Sequence, residues 1–143
     1  HRKINILTEL MQPPYTPGSD IQAVDTPLGR IGMLICADTF VPENLQRMAA
    51  CKPDLVLVPY GWAAKEEAWP GHGKELHKTV SNAAQAIGAP VVGTDLVGAI
   101  THGPWTGQVY GGQSVVCDRL GNILAIAKDR DRDILVTSLD FTH

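Results

Sequence analysis

Unbroken apolar runs, separated by stretches with helical spacing, constrain the fold of this chain more than any other feature. RIGMLIC (30–36), PDLVLVPY (53–60) and PVVGTDLVG (90–98) are apolar nearly throughout. A strand wet on one face alternates polar and apolar residues, whereas one inside a sheet covered on both faces need not. Between these runs lie two helical patterns. PENLQRMAAC (42–51) opens with Pro42 and Glu43, which suit a first helical turn, and sets Leu45, Met48 and Ala49 on one face. KELHKTVSNAAQAIGA (74–89) sets Leu76, Val80, Ala83, Ala84 and Ile87 on a stripe, with Gly88 as its stop.

IQAVDT (21–26) alternates and pairs with the following run around PLG. Segments 11–20, 61–73 and 99–112 are rich in Gly, Pro and polar residues and read as loops. The end of the chain, QSVVCD, ILAIAKD and ILVTSLD (134–140), reads as a strand meander. Strand and helix first alternate and strands then run on alone. That order predicts a layered α/β protein with a mixed sheet, in one domain spanning residues 1–143 without internal repeats or a linker.

Composition narrows the function. With 143 residues, 44% of them apolar and 19% charged, the chain has enough material for a substantial core. The net charge of −3 includes no basic stripe, and the charged cluster KDRDRD (128–133) alternates in sign, so nucleic acid is not an expected partner. No apolar stretch approaches the roughly 20 residues that span a bilayer. The reading is a soluble, cytoplasmic chain. Cys36, Cys51 and Cys117 are odd in number and lack CxxC spacing, so neither a disulfide framework nor a zinc site is expected. The histidines are scattered, and His72 and His77 stand five apart where a helical metal pair needs four. Neither metal nor cofactor is expected.

Cys36 admits two readings. Free cysteine is among the most buried residue types and sits well after IGML as core filling. Position favours another role: just past a strand end and just before a helix start, a thiol lies where strand C-termini open onto a cleft. There, unpaired backbone N–H groups and the helix dipole stabilise a thiolate and the oxyanion of a tetrahedral intermediate. Cys51, at a helix end, and Cys117, inside a strand pattern, lack that setting and read as packing residues.

These residues resemble a known family. GRIGMLICADTFVPE (29–43) is similar to the nucleophile segment of the nitrilase superfamily, the carbon–nitrogen hydrolases, in which G-x-x-I-C is followed by x-D and then P-E. HRKINIL (1–7) resembles the segment around the family's catalytic lysine, and the spacing from Lys3 to Cys36 is of the family's size. YTPG, VDTPLGRIG, PDLVLVPYGW and GGQSVVCDRLGNILA follow in the family's order, so the resemblance covers essentially the whole chain.

The resemblance implies an α-β-β-α sandwich of the nitrilase type, of which this chain supplies about half, and assembly into homo-oligomers. It implies that Cys36 attacks a carbonyl or nitrile carbon, with Lys3 and the backbone N–H of Ala37 placed against the developing charge. Glu9, the carboxylate between Lys3 and the TPG turn, is the candidate for the family's second, positioning glutamate; a solvated acid is the competing reading. Asp38 and Glu43 belong to the motif and are expected to serve the turn and the helix start. Tyr60, Trp62, Trp69 and the THGPWTG loop are candidate pocket residues, the tryptophans being equally suited to packing.

The family also uses a glutamate general base from a strand well upstream of the lysine, and no residue here matches it. A fragment of a longer enzyme, or one part of a split protein whose other half supplies the glutamate, is the expected explanation. Aspartate two residues after the cysteine favours an amide or N-carbamoyl substrate over a nitrile. The competing readings are a nitrile hydrolase, a non-catalytic nitrilase-like binding module and, last, a Cys–His thiol hydrolase.

Overall fold

The computed structural model describes residues 1–7, 9–10 and 15–140. The first strands are a hairpin of β1 (Ala23–Thr26) and β2 (Gly29–Met33), with Thr26 opposite Gly29. A 3₁₀ turn, Cys36–Phe40, then delivers the chain to α1 (Pro42–Ala50), whose proline occupies the first helical position, where the missing N–H costs nothing. The strand β3 (Leu55–Tyr60) is followed by the short β4 (Ala63–Ala64) and by α2 (Gly73–Ile87). Gly88 stops α2 in the left-handed conformation (φ +76°) and returns its N–H to the Ala84 carbonyl. Then come β5 (Val91–Asp95), β6 (Val97–Ala99), β7 (Val109–Gly111), β8 (Val115–Cys117) and β9 (Ile123–Ile126).

The main sheet has the order β1-β2-β3-β5-β8-β9. Its centre, β2-β3-β5, is parallel, joined by the crossovers through α1 and α2, and its flanks are antiparallel. This is the mixed α/β sheet that the sequence predicts. A small antiparallel sheet, β4-β7-β6, stands beside it at the C-terminal ends of β3 and β5.

Both helices cover one face of the main sheet, and the core lies there, with Val56, Val58, Val91, Val115 and Cys117 against Met48, Leu76, Val80, Ala83 and Ala84. Glycines set the approach. A Cβ on Gly32 would meet Met48 Sδ at 2.5 Å, and one on Gly93 would meet a Val80 methyl at 2.5 Å. The other face alternates out of the core. Val24 and Met33 are 62% and 40% exposed, and Ile31, Leu55, Leu57 and Val92 are only half-buried.

Two expected strands come out differently. Residues 90–98 break at Leu96: β5 stays in the main sheet while β6 pairs in the small one, and the Leu96 carbonyl accepts the Gly112 N–H at 2.8 Å. Residues 134–140 form no strand, since they meet no ladder partner among the described residues; Ile134 and Val136 are 90% and 87% exposed. Among the described residues, no helix is long and apolar enough to cross a membrane.

Candidate active site

The backbone turns sharply after β2. Leu34 still donates to the Leu57 carbonyl at 3.2 Å, but Cys36 lies at φ +48°, a region that non-glycine residues seldom occupy. Three hydrogen bonds hold it there. Thr39 Oγ1 donates to the Cys36 carbonyl at 2.8 Å, the Asp38 N–H donates to the Ile35 carbonyl at 3.0 Å, and Asp38 Oδ2 accepts the Ile35 N–H at 3.1 Å. The thiol is half-buried and faces a cavity.

Asp38, fully buried, also ties the N-terminal segment to this turn. Its Oδ1 accepts the Ile4 and Asn5 N–H groups at 3.0 and 2.7 Å, and its Oδ2 lies 3.1 Å from His1 Nε2. Asn5 Nδ2 reaches the Ala37 carbonyl at 3.3 Å. The segment is thereby laid alongside residues 35–38, and Lys3 Nζ donates to the Ile35 carbonyl at 2.7 Å. Two residues far apart in sequence, Lys3 and Cys36, border the same space.

That space is a cavity of about 410 Å³ in which Lys3, Cys36 and Ala37 form one side and mainly aromatic residues the rest. Trp62 dominates the far wall. Its ring stacks on His72 (centroids 5.5 Å apart, planes at 28°), meets Phe40 edge-on at 5.8 Å, and donates Nε1–H to the His72 carbonyl at 3.2 Å. Trp105, Tyr110, Tyr15, Ile6 and Leu7 line it as well, with Gly61 and Ala63 on either side of Trp62. A larger cavity of about 640 Å³ lies over the open sheet face beside Val24, Ile31 and Met33; no cysteine is among the described residues that line it, whereas Cys36 lines the smaller one.

The other candidates fall in different places. Tyr60 is buried behind Trp62, edge-on at 5.8 Å, with its hydroxyl 3.0 Å from Thr39 Oγ1, and burial drives its phenol well above its usual range. It supports the wall without lining it. Trp69 is buried too, edge-on to His72 at 5.2 Å and packed over Gly111. Glu9 is exposed on a turn and is not among the residues that line the cavity. His102 is exposed, bonded to its neighbour Thr101 at 3.0 Å.

Cys117 is wholly buried, its thiol pushed up to about 11 by burial and by the charge of Asp118. Cys51 points its thiol at the Ile21 and Arg47 carbonyls. Neither faces the cavity. Phe40, His72 and Tyr110 line it without having been singled out in the sequence. Phe40 lies within the cysteine motif and so carried a signal; His72 and Tyr110 come from the start of α2 and from β7, and only the tertiary fold brings them in. Among the described residues, no group of three or more His, Cys, Asp or Glu could hold a metal ion.

A helix-entry cysteine on a mixed α/β sheet, sharing one side of an aromatic-lined cavity with a lysine, defines the class of site. The carbon-nitrogen hydrolase family model matches residues 1–142, and the chain belongs to that family. N-carbamoylputrescine amidase of Oryza sativa subsp. japonica is 27% identical over 132 residues, covering 88% of this chain and 44% of the relative. Citrullinase of Francisella tularensis subsp. tularensis is 27% identical over 132 residues, covering 90% and 46%. The chain thus spans about half the length of the curated relatives it matches.

Solved structures agree. A carbon-nitrogen hydrolase from Helicobacter pylori G27 superposes with a TM-score of 0.76 at 25% identity, over 92% of this chain and 48% of that one. A glutamate-to-glutamine variant of the amidase from Nesterenkonia sp. AN1 superposes with a TM-score of 0.68 at 25% identity, over 87% and 44%; it carries the acetamide moiety of fluoroacetamide covalently on its active-site cysteine.

Proposed function

We propose that this chain carries the nucleophile-bearing half of a hydrolase that cleaves amide or N-carbamoyl C–N bonds. The observation that carries the reading is Cys36 held at φ +48° on the wall of the cavity that Lys3 also lines. The Cys36 thiolate adds to the carbonyl carbon, and the resulting oxyanion is met by the Lys3 ammonium and the Ala37 N–H. Collapse of the tetrahedral intermediate breaks the C–N bond; the nitrogen takes a proton and leaves as ammonia, and the acyl group stays as a thioester. Water then adds to the thioester, and the acid departs as the thiolate re-forms.

Proton transfers in both halves need a general base. Among the described residues no carboxylate lines the cavity, and the family resemblance locates that base in the upstream part of the fold. The length that the relatives have beyond this chain is where we place it. The same added half would pack on the open face of the main sheet and complete the four-layer sandwich, with oligomers built from such sandwiches.

Three features favour amides over nitriles: the aspartate at position 38, and the two curated relatives, one an amidase and the other a citrullinase. Asp38 itself is engaged on every side by backbone and His1, so it acts by shaping the turn and not by touching substrate. The aromatic walls suit a compact or flat acyl group.

Because no carboxylate among the described residues lines the cavity, a binding module that keeps the fold is the second reading. Alkylation separates the two. Fluoroacetamide is expected to modify Cys36 faster than it modifies free cysteine, and the Cys36→Ala variant should take up no label; a thiol that reacts no faster than free cysteine favours the binding module.

A further inference from the structure

Asp95 ends β5 where the chain leaves the main sheet for the small one, and the hydrolytic steps do not use it. It is paired in register with Tyr60, so its side chain stands beside the 61–63 segment. Its Oδ1 accepts the Trp62 N–H at 2.7 Å, and its own N–H is donated to Ser114 Oγ at 2.9 Å. Backbone N–H groups of Leu96, Gly111 and Gly112 also favour the carboxylate. Oδ2, by contrast, is buried with no hydrogen-bond partner among the described residues. Burying a carboxyl with one oxygen unmatched is costly, and packing alone does not require it.

What the carboxyl holds is the wall of the cavity. Gly61, Trp62 and Ala63 line it in succession. The Trp62 ring is fixed by His72 and Phe40, but its backbone N–H is held by donating to Asp95 Oδ1. We infer that Asp95 is a positioning residue for the Cys36 cavity, fixing through the Trp62 N–H the distance between the aromatic wall and the nucleophile. The inference rests on the reading of that cavity as the substrate site.

Burial pushes the Asp95 carboxyl up to about 7, so its charge changes near neutrality. The ionised form makes the stronger bond to the Trp62 N–H, so the wall is held more firmly above that pH than below it. Other ionisable groups surround it. Tyr60 lies on the paired strand and His72 stacks on Trp62. From the 127–133 segment, Lys128, Asp131, Arg132 and Asp133 border a shallow cavity that Asp95 also lines. The test therefore needs a probe that reports on the bond itself.

That probe is the Trp62 backbone amide, followed by ¹H–¹⁵N NMR of the full chain from about pH 5 to about pH 9, a range that brackets the transition of a group near neutrality. In the unmodified chain and in His72→Gln, its proton shift should titrate with a midpoint near 7. In Asp95→Asn, which keeps an acceptor but no charge, it should be flat. Alkylation of Cys36 by fluoroacetamide at one pH should slow about tenfold in Asp95→Ala, the order expected for loss of a charge-assisted hydrogen bond, and should recover most of its rate in Asp95→Asn. A Trp62 amide that does not titrate, a titration that survives in Asp95→Asn, or an Asp95→Ala variant that is alkylated at the original rate overturns the inference. Should Asp95→Ala fail to fold, the titration and its loss in Asp95→Asn decide alone. Failure of Cys36 to alkylate in the unmodified chain would sink the hydrolytic reading, while the Trp62 titration would still decide the role of Asp95.

Discussion

Cys36 adopts a conformation that glycine takes freely and other residues take at a cost of about 1–2 kcal/mol. Strain of this kind persists when neighbours over-determine it, as Thr39 and Asp38 do here, and it aims the side chain away from the sheet. Two thiol-free variants isolate the effect. Cys36→Gly should be more stable than Cys36→Ala by about 1 kcal/mol in urea unfolding, because only the alanine keeps the strain; equal stabilities would mean that the turn is not strained at this residue. A second effect at this scale concerns pH. Asp95 titrates near 7 in the fold and near the usual carboxylate value when unfolded, so between those values the native state binds the extra proton. Its contribution to stability is therefore full at acid pH, falls as the pH rises to about 7, and is level above that. Thermal melts of the unmodified chain and Asp95→Asn should diverge across that window and run parallel above it.

At the scale of elements, the site is a junction of three pieces: the end of β2, the 3₁₀ turn and the N-terminal segment, with Asp38 as the common anchor. Removing that anchor takes the acceptor from the partly buried N–H groups of Ile4, Asn5 and Ile35. Asp38→Ala should thus cost roughly 3–5 kcal/mol. Hydrogen exchange at Ile4 and Asn5 should speed up more than exchange at Val56 or Val91 in the sheet centre. Uniform acceleration instead would show that Asp38 supports the whole core and not the junction.

Much at this scale was legible beforehand. Apolar runs and helical stripes placed β2, β3, α1 and α2 within a few residues, because continuous apolar runs and helical spacing leave a plain mark in the sequence. The break at Leu96 was not legible: one run, PVVGTDLVG, reads as a single strand, and only the pairing of β6 with β7 redirects the chain. The 134–140 run has a strand's apolar, β-branched composition but no ladder partner among the described residues, and local sequence cannot report a missing neighbour. At the site, Cys36 and Lys3 stood out through motif and spacing. His72 and Tyr110 did not, since their place in the cavity depends on how α2 and the small sheet pack against Trp62.

The whole molecule presents one covered and one open face of its main sheet, with Val24 and Met33 largely exposed and Leu55 and Leu57 half so. Contiguous apolar surface of this kind marks an interaction site. The family match over residues 1–142, together with coverage of under half of each relative, fits an open face that receives the rest of the fold. Met33→Lys should change the stability of the chain itself by no more than about 0.5 kcal/mol, as expected of an exposed position. The same substitution should weaken self-association or binding of a supplied upstream half, read by sedimentation velocity. A large loss of stability with unchanged association would mean that this face is packed within the chain.

The most direct test of the central claim is the intact mass of the chain after fluoroacetamide treatment at neutral pH, with peptide mapping. The account predicts a single acetamide adduct on Cys36, formed faster than on free cysteine, with Cys51 and Cys117 unmodified and no adduct in Cys36→Ala. Labelling spread over the three cysteines, or a Cys36 no more reactive than free cysteine, would contradict the assignment of Cys36 as the nucleophile.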